Sequence, residues 1–259
     1  AYLRSKDDFY TGLDLVESID RKYVDDRMLK EVLVQFSQQK DIKDYLVQRI
    51  VNSYLSMKAG QYLKNIDAII TNKTVAGQIK KTYALTRMPL DEIITDMVSN
   101  GLIRKKPDTS IIRKAKEDAS NDPLAFICGV LEAQNVYLSF DAETDMLPLD
   151  YDSLLQVFSQ KTGGLLKDML TWTDINDKGP NGDFGYTIKV VYNNTAFIVH
   201  PQTIEDWYDI MAVNSLLEKV LERSGSVKRF VSIETGDQTV QYIFGDPRAV
   251  QKVINKYKP

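Results

Sequence analysis

The stretch FGYTIKVVYNNTAFIVH, residues 184–200, decides how this chain is read. Phe184, Tyr186, Ile188, Val190 and Tyr192 alternate with smaller or polar residues, the period-two pattern of a strand with one buried face. Asn193-Asn194 then supplies two residues that tolerate positive φ, as a type I′ hairpin turn demands, and Thr195–His200 returns as a second strand. A helix is predicted from Ile204. About forty residues on, the same order recurs. Phe230–Glu234 alternates, Gly236-Asp237 turns, Thr239–Phe244 returns, and Asp246-Pro247 opens a last helix whose Val250, Val253, Ile254 and Tyr257 form one stripe. The repeat predicts a ββαββα module built on a four-stranded antiparallel sheet.

Everything before this block reads as helix, so the expected class is α+β: an N-terminal helical bundle over residues 1–178, then the α+β module over 184–259. The sequence has 259 residues, 43% of them hydrophobic and 27% charged, with a net charge of −3. That composition is globular, and it lacks the basic excess of a nucleic-acid or anionic-membrane binder. No apolar run approaches the roughly 20 residues that span a bilayer. A chain beginning at Ala1 is compatible with removal of an initiator Met or with signal cleavage, and the expectation leans to export from a bacterial cell. The only cysteine, Cys128, excludes an internal disulfide and any Cys-rich metal site.

Helices are predicted over Ser5–Tyr23 and Val24–Gln39. A third is expected after Asp41 as N-cap, and a fourth, shorter one follows Gly60. Thr74–Leu102 predicts a helix, a turn near Arg87 and a second helix behind Pro89, closed by Asn100-Gly101. With its exit NGLIRKK, this segment of about thirty residues resembles part of a winged helix-turn-helix. The resemblance implies phosphate contacts from Arg104, Lys105, Lys106, Arg113 and Lys114. The first turn of the would-be recognition helix departs from that pattern, since Asp91 and Glu92 stand where phosphates should be met. Nucleic acid is therefore an alternative partner and not the expected one.

Asp122-Pro123 marks the start of a further helix. Between Asp141 and Asp183 there are nine Asp/Glu against three Lys. Asp141, Glu143, Asp145, Asp150 and Asp152 cluster there, ahead of a predicted helix over Tyr151–Trp172. Such carboxylates could hold a hard cation, although no EF-hand spacing is met. They could also serve a carboxylate hydrolase. The GPNGDFG stretch, residues 179–185, breaks the chain and sets the expected domain boundary.

In the helix predicted from Ile204, Trp207, Tyr208 and Met211 share one face, while Val213, Leu216, Leu217, Val220 and Leu221 point nearly opposite. Either it breaks near Asn214 or its second half packs on something other than the sheet, for which the helical bundle is the natural candidate. His200 is the only histidine. No nucleophile elbow, Walker loop, dinucleotide fingerprint or HExxH motif is present. The expectation is a non-enzymatic protein that binds another protein, needs no cofactor, and makes contact around Trp207, Tyr208, Phe184 and His200.

Overall fold

The structure is a computed structural model that describes residues 24–258 apart from 40–41, 120–121, 178–183, 203–204, 234 and 236–237. The helix expected over Ser5–Tyr23, the Asp41 cap and the Gly236-Asp237 turn lie outside the described residues. The chain divides into two compact units. One comprises Ala1–Ile93, Ala119–Phe126 and Tyr257–Pro259; the other comprises Ile94–Asp118 and Ile127–Lys256.

The first unit is helical. Helices α1 (Asp26–Ser37), α2 (Asp44–Ser56), α3 (Gly60–Lys64) and α4 (Lys73–Leu85) surround one core, with a 3-10 turn at Ile66–Ala68. Asp25 caps α1 by accepting from the Met28 N–H at 2.7 Å, and Asn72 caps α4 by accepting from Val75 at 3.2 Å. Leu29, Val32, Leu33 and Phe36 of α1 meet Val47, Ile50, Val51 and Tyr54 of α2. The Tyr54 hydroxyl, deep in this layer, donates to the Leu29 carbonyl. Burial pushes its ionisation well above the ordinary tyrosine range.

Helices α5 (Leu90–Ser99), α6 (Thr109–Ala119) and α7 (Pro123–Ala133) follow. Gly101, at φ 74, ends the turn after α5, and Leu102 N–H bonds back to Met97 at 2.9 Å. The segment after α5 enters α6 without an intervening hairpin. Gly129 of α7 faces Ala115 of α6 so closely that an added Cβ would stand 3.2 Å from the Ala115 Cβ.

Among the described residues the second unit contains six strands, and they correct the expected sheet. These are β1 (Tyr137–Asp141), β2 (Leu170–Asp177), β3 (Phe184–Tyr192), β4 (Thr195–Val199), β5 (Arg229–Ile233) and β6 (Thr239–Gly245). They form two three-stranded antiparallel sheets, ordered β1-β6-β5 and β2-β3-β4, in place of one four-stranded sheet. The strands of each predicted hairpin pair, and each pair gains a third strand: β1, just before the acid-rich segment, pairs with β6, and β2, from within that segment, pairs with β3. The helix expected over Tyr151–Trp172 is α8 (Tyr151–Gln160) and ends early. Gly163 and Gly164, at φ 64 and 90, carry the chain out of helix into β2. The β-forming residues Thr171, Trp172, Thr173 and Ile175 then take the extended state.

The β3–β4 turn has Asn193 at φ 47 and Asn194 at φ 58, a type I′ geometry. The long helix is α9 (Ile210–Arg223), and its break lies earlier than Asn214. Asp209 caps it, accepting from Ala212 at 2.9 Å, and residues 205–208 run extended or turned before it. Val213, Leu216, Leu217, Val220 and Leu221 are buried in one cluster with Tyr186, Ile188 and Val190 of β3 and Tyr242 and Phe244 of β6. That stripe is therefore covered by the sheets together with Tyr151, Leu154, Leu155 and Phe158 of α8, which lies within the range expected to be helical bundle. The last helix, α10 (Pro247–Tyr257), is capped by Asp246, which accepts from Arg248 at 2.8 Å and Ala249 at 3.2 Å.

Phe158 of α8 sits at the centre of this core, edge-on to Phe230 at 4.8 Å, Tyr242 at 5.3 Å and Phe140 at 6.0 Å. Phe158→Ala is expected to cost about 3–5 kcal/mol in urea unfolding, against under about 0.5 kcal/mol for Met211→Ala on the exposed side of α9. Equal costs would show that this aromatic layer is not the core of the unit.

Candidate functional site

The antiparallel sheet β2-β3-β4 has two unlike faces. Tyr186, Ile188, Val190 and Tyr192 of β3 point into the core. The alternate residues form the outer face, and the strand registers arrange them in three rows. Leu170, Val191 and Ala196 make the first row, and Trp172, Lys189 and Ile198 the second. Asp174 and Thr187 make the third, with His200 alongside. Leu170 is 61% exposed, Ile198 51% and Trp172 37%. Lys189 Nζ lies 4.8 Å from the centroid of the Trp172 ring, a cation–π contact across the strand pair. Thr187 Oγ1 and His200 Nδ1 are 3.1 Å apart in the third row. Leu170, Trp172 and Ile198 thus expose apolar area on either side of Lys189, with Asp174, Thr187 and His200 along one margin.

The strand edge at β2 is engaged at Thr173. Asp152, projecting from the first turn of α8, accepts from the Thr173 N–H at 3.2 Å and from Thr173 Oγ1 at 3.0 Å. Its neighbour Asp150 is the N-cap of α8 and accepts from Ser153 at 2.9 Å. The Ser153 side chain and N–H hold the Asp150 carboxyl below its ordinary range. Both carboxylates thus serve the backbone. Asp141 accepts from the Glu143 N–H at 3.0 Å and from Gln238 Nε2 at 3.3 Å.

The remaining acids converge with a residue that sequence reasoning did not single out. Carboxylate oxygens of Glu143, Asp145 and Asp206 lie within 4.8 Å of one another. A short antiparallel bridge joins them: Glu143 opposes Trp207, Thr144 N–H donates to the Asp206 carbonyl at 3.1 Å, and Tyr208 N–H donates to Ala142 at 2.9 Å. The pairing crosses some sixty residues of chain, so local pattern carried no sign of it. Only the adjacent Glu205-Asp206 pair hinted at a second acidic stretch. Desolvation first, then the charges of Asp206, Asp145, Asp141 and Glu205, push the Glu143 carboxyl above its ordinary range. Oxygen ligands of this kind suit Ca²⁺ or Mg²⁺. Their spacing is tighter than the roughly 6.5–9.5 Å between the acids of inverting glycosidases.

The expected contact residues are dispersed. Trp207 stays 37% exposed beside the acidic group. Tyr208 turns into the core margin, edge-on to Tyr151 at 5.1 Å and Phe140 at 6.4 Å, with its hydroxyl on the Asp150 carbonyl at 3.2 Å. Phe184 starts β3 and is half-buried against Tyr186. Only His200 belongs to the outer face. Cys128 is buried in α7. Arg104, Lys105 and Lys106 are exposed in the bends after α5, and Arg113 and Lys114 are exposed on α6. In the helical unit, α1 and residues 61–69 bound an open groove of about 660 Å³. Arg27, Lys30 and Glu31 on its wall mix with Val34, Tyr62 and Ile69, and no single sign of charge prevails.

No match to this chain was found among protein-family models, curated proteins or solved structures. None of its helices, among the described residues, is long and apolar enough to cross a membrane.

Glu143 makes a direct test of the acidic convergence. Its raised pKa means that the folded chain binds this proton more tightly than the unfolded chain does. Its contribution to stability therefore falls as pH rises from the ordinary carboxyl value through the raised one. Glu143→Gln is expected to raise the melting temperature at pH 7, with the gain shrinking as pH is lowered to about 4, where the native carboxyl is protonated. An unchanged or lower melting temperature at pH 7 would show that these carboxylates do not repel one another.

Proposed function

We propose that this chain is a non-enzymatic binding protein that holds a partner protein against the outer face of β2-β3-β4. The observation that supports the reading is the exposure of Leu170, Trp172 and Ile198 in adjacent register on a sheet whose other face is core. Isolated exposed apolar residues are ordinary; a tryptophan next to Leu170 on one strand, with Ile198 in the same row beyond Lys189, offers an interface an aromatic anchor. Lys189 and the Asp174, Thr187 and His200 row offer polar partners at the margin, where interfaces place them.

A catalytic reading has weaker support. Asp150 and Asp152 are engaged with backbone and Thr173, Cys128 is buried, and His200 lies on an exposed sheet face beside Thr187. The nucleic-acid reading rests on Arg104, Lys105, Lys106, Arg113 and Lys114. It lacks a hairpin wing after α5 and carries Asp91 and Glu92 in the first turn of that helix.

A photo-cross-linking amino acid placed at position 172, and separately at the exposed Val227 as a control, tests the reading in lysate of the source cells. A discrete protein adduct at 172 and none at 227 is expected, reduced at least about tenfold by Leu170→Ser with Ile198→Ser. Equal background labelling at the two positions would count against this face as the binding surface.

A further inference from the structure

We infer that a second copy of this chain pairs antiparallel with the open edge of β4, making one six-stranded sheet across a two-fold axis. The inference does not depend on the proposed function. It starts from the β3–β4 hairpin. Tyr192 and Thr195 flank a two-residue turn, so they form its closing hydrogen-bonded pair. In an antiparallel ladder the bonding direction alternates, so Thr195, Phe197 and Val199 bond to β3 while the N–H and C=O groups of Ala196 and Ile198 point away from it. Among the described residues, neither Ala196 nor Ile198 makes a backbone hydrogen bond to another element. Ala196 is exposed and Ile198 is half-exposed, which leaves that edge open to approach.

Sheet edges are normally protected by charge, proline, a bulge or a covering element. At the opposite edge of this same sheet Asp152 takes up an outward donor, the Thr173 N–H. The strand Thr195-Ala-Phe-Ile-Val199 carries no charge and no proline, and its pairing with β3 runs without a bulge. Among the described residues, its shortness is its protective feature.

The edge also fits itself. A two-fold axis at Phe197 sets Ala196 opposite Ile198 of the second copy, small against large, and the two exchange both hydrogen bonds; the symmetric pair does the same. Thr195 then meets Val199 and Asn194 meets His200, so no like charges are opposed. The axis is perpendicular to the sheet and keeps the outer faces on one side. Leu170, Trp172 and Ile198 of both copies then share one surface. In a single copy these three side chains offer on the order of 300 Å², below the about 800 Å² per partner of a stable interface. Pairing brings both sets onto one surface, with Ile198 partly covered by Ala196 of the second copy.

Two short pairs of hydrogen bonds make a weak dimer, so concentration is the variable to scan. Sedimentation equilibrium of the full chain is expected to give a mass near 29.5 kDa at about 10 µM that approaches twice this value by about 1 mM. Ala196→Pro removes an outward donor without touching the β3 ladder and is expected to stay monomeric throughout. Ala196→Val keeps the donor and should associate like the parent. Ile198→Lys charges the edge, leaves the backbone unchanged and should also abolish association. In the parent chain, amide exchange at Ala196 and Ile198 should slow several-fold between the two concentrations, which reports the contact even if the proline variant does not fold. A constant monomer mass up to about 1 mM overturns the inference. So does a dimer that survives Ile198→Lys without a change in exchange at residues 196 and 198.

Discussion

One apolar layer governs the second unit: the inner faces of both three-stranded sheets close on the same two helices, α8 and α9. Each fully buried Val, Leu, Ile or Phe contributes about 1.5–3 kcal/mol relative to exposure, and this layer holds more than a dozen large side chains. It is the reason α9 lies where it does, since its Val213, Leu216, Leu217, Val220 and Leu221 stripe is covered only there. It also has a consequence for the other side of β2-β3-β4. Helices that fill one face leave the second to solvent, and the strand alternation that buries Tyr186, Ile188 and Val190 turns Trp172, Lys189 and Ile198 outward. The core and the solvent-facing surface therefore arise from the same period-two pattern.

The acid-rich segment between the helices and the β3–β4 hairpin shows how far charge count can mislead about chemistry. Five clustered carboxylates in sequence suggest one site. In the fold they separate into three tasks. Asp150 supplies the N-cap of α8, and Asp152 ties that helix to the outer edge of β2. Asp141 braces its own loop and reaches Gln238. Only Glu143 and Asp145 converge, and they do so with Asp206, brought from a distant stretch by the bridge between Glu143 and Trp207. The Ser153 side chain and N–H depress the pKa of Asp150, whereas desolvation first, and then the neighbouring charges of Asp206, Asp145, Asp141 and Glu205, raise that of Glu143.

Local pattern was enough for much of the fold. The hairpin turn at Asn193-Asn194, the stripe of α10, the caps at Asp122 and Asp246 and the stop at Gly101 all depend on residues close in sequence, and each is present. The sheets were read short because β1 and β2 lie in segments whose charge and neighbouring helix hid a few alternating positions. Leu170 to Thr173 could continue the preceding helix by composition alone; the left-handed glycines at 163 and 164 rule that out. Of the expected contact residues, only His200 lies on the sheet surface. Trp172 and Ile198 acquire their role from register between strands, which no single stretch of sequence displays.

Hydroxyl-radical footprinting measures the outer face most directly, comparing the purified chain with the tagged chain isolated under native conditions from its source cells. The account predicts that Leu170, Trp172 and Ile198 lose several-fold in oxidation rate in the isolated assembly, while the core residues Tyr186 and Val190 stay slow in both and Trp207 is unchanged. Undiminished oxidation of Trp172, together with protection around Arg104–Lys106 or at Trp207, would contradict it.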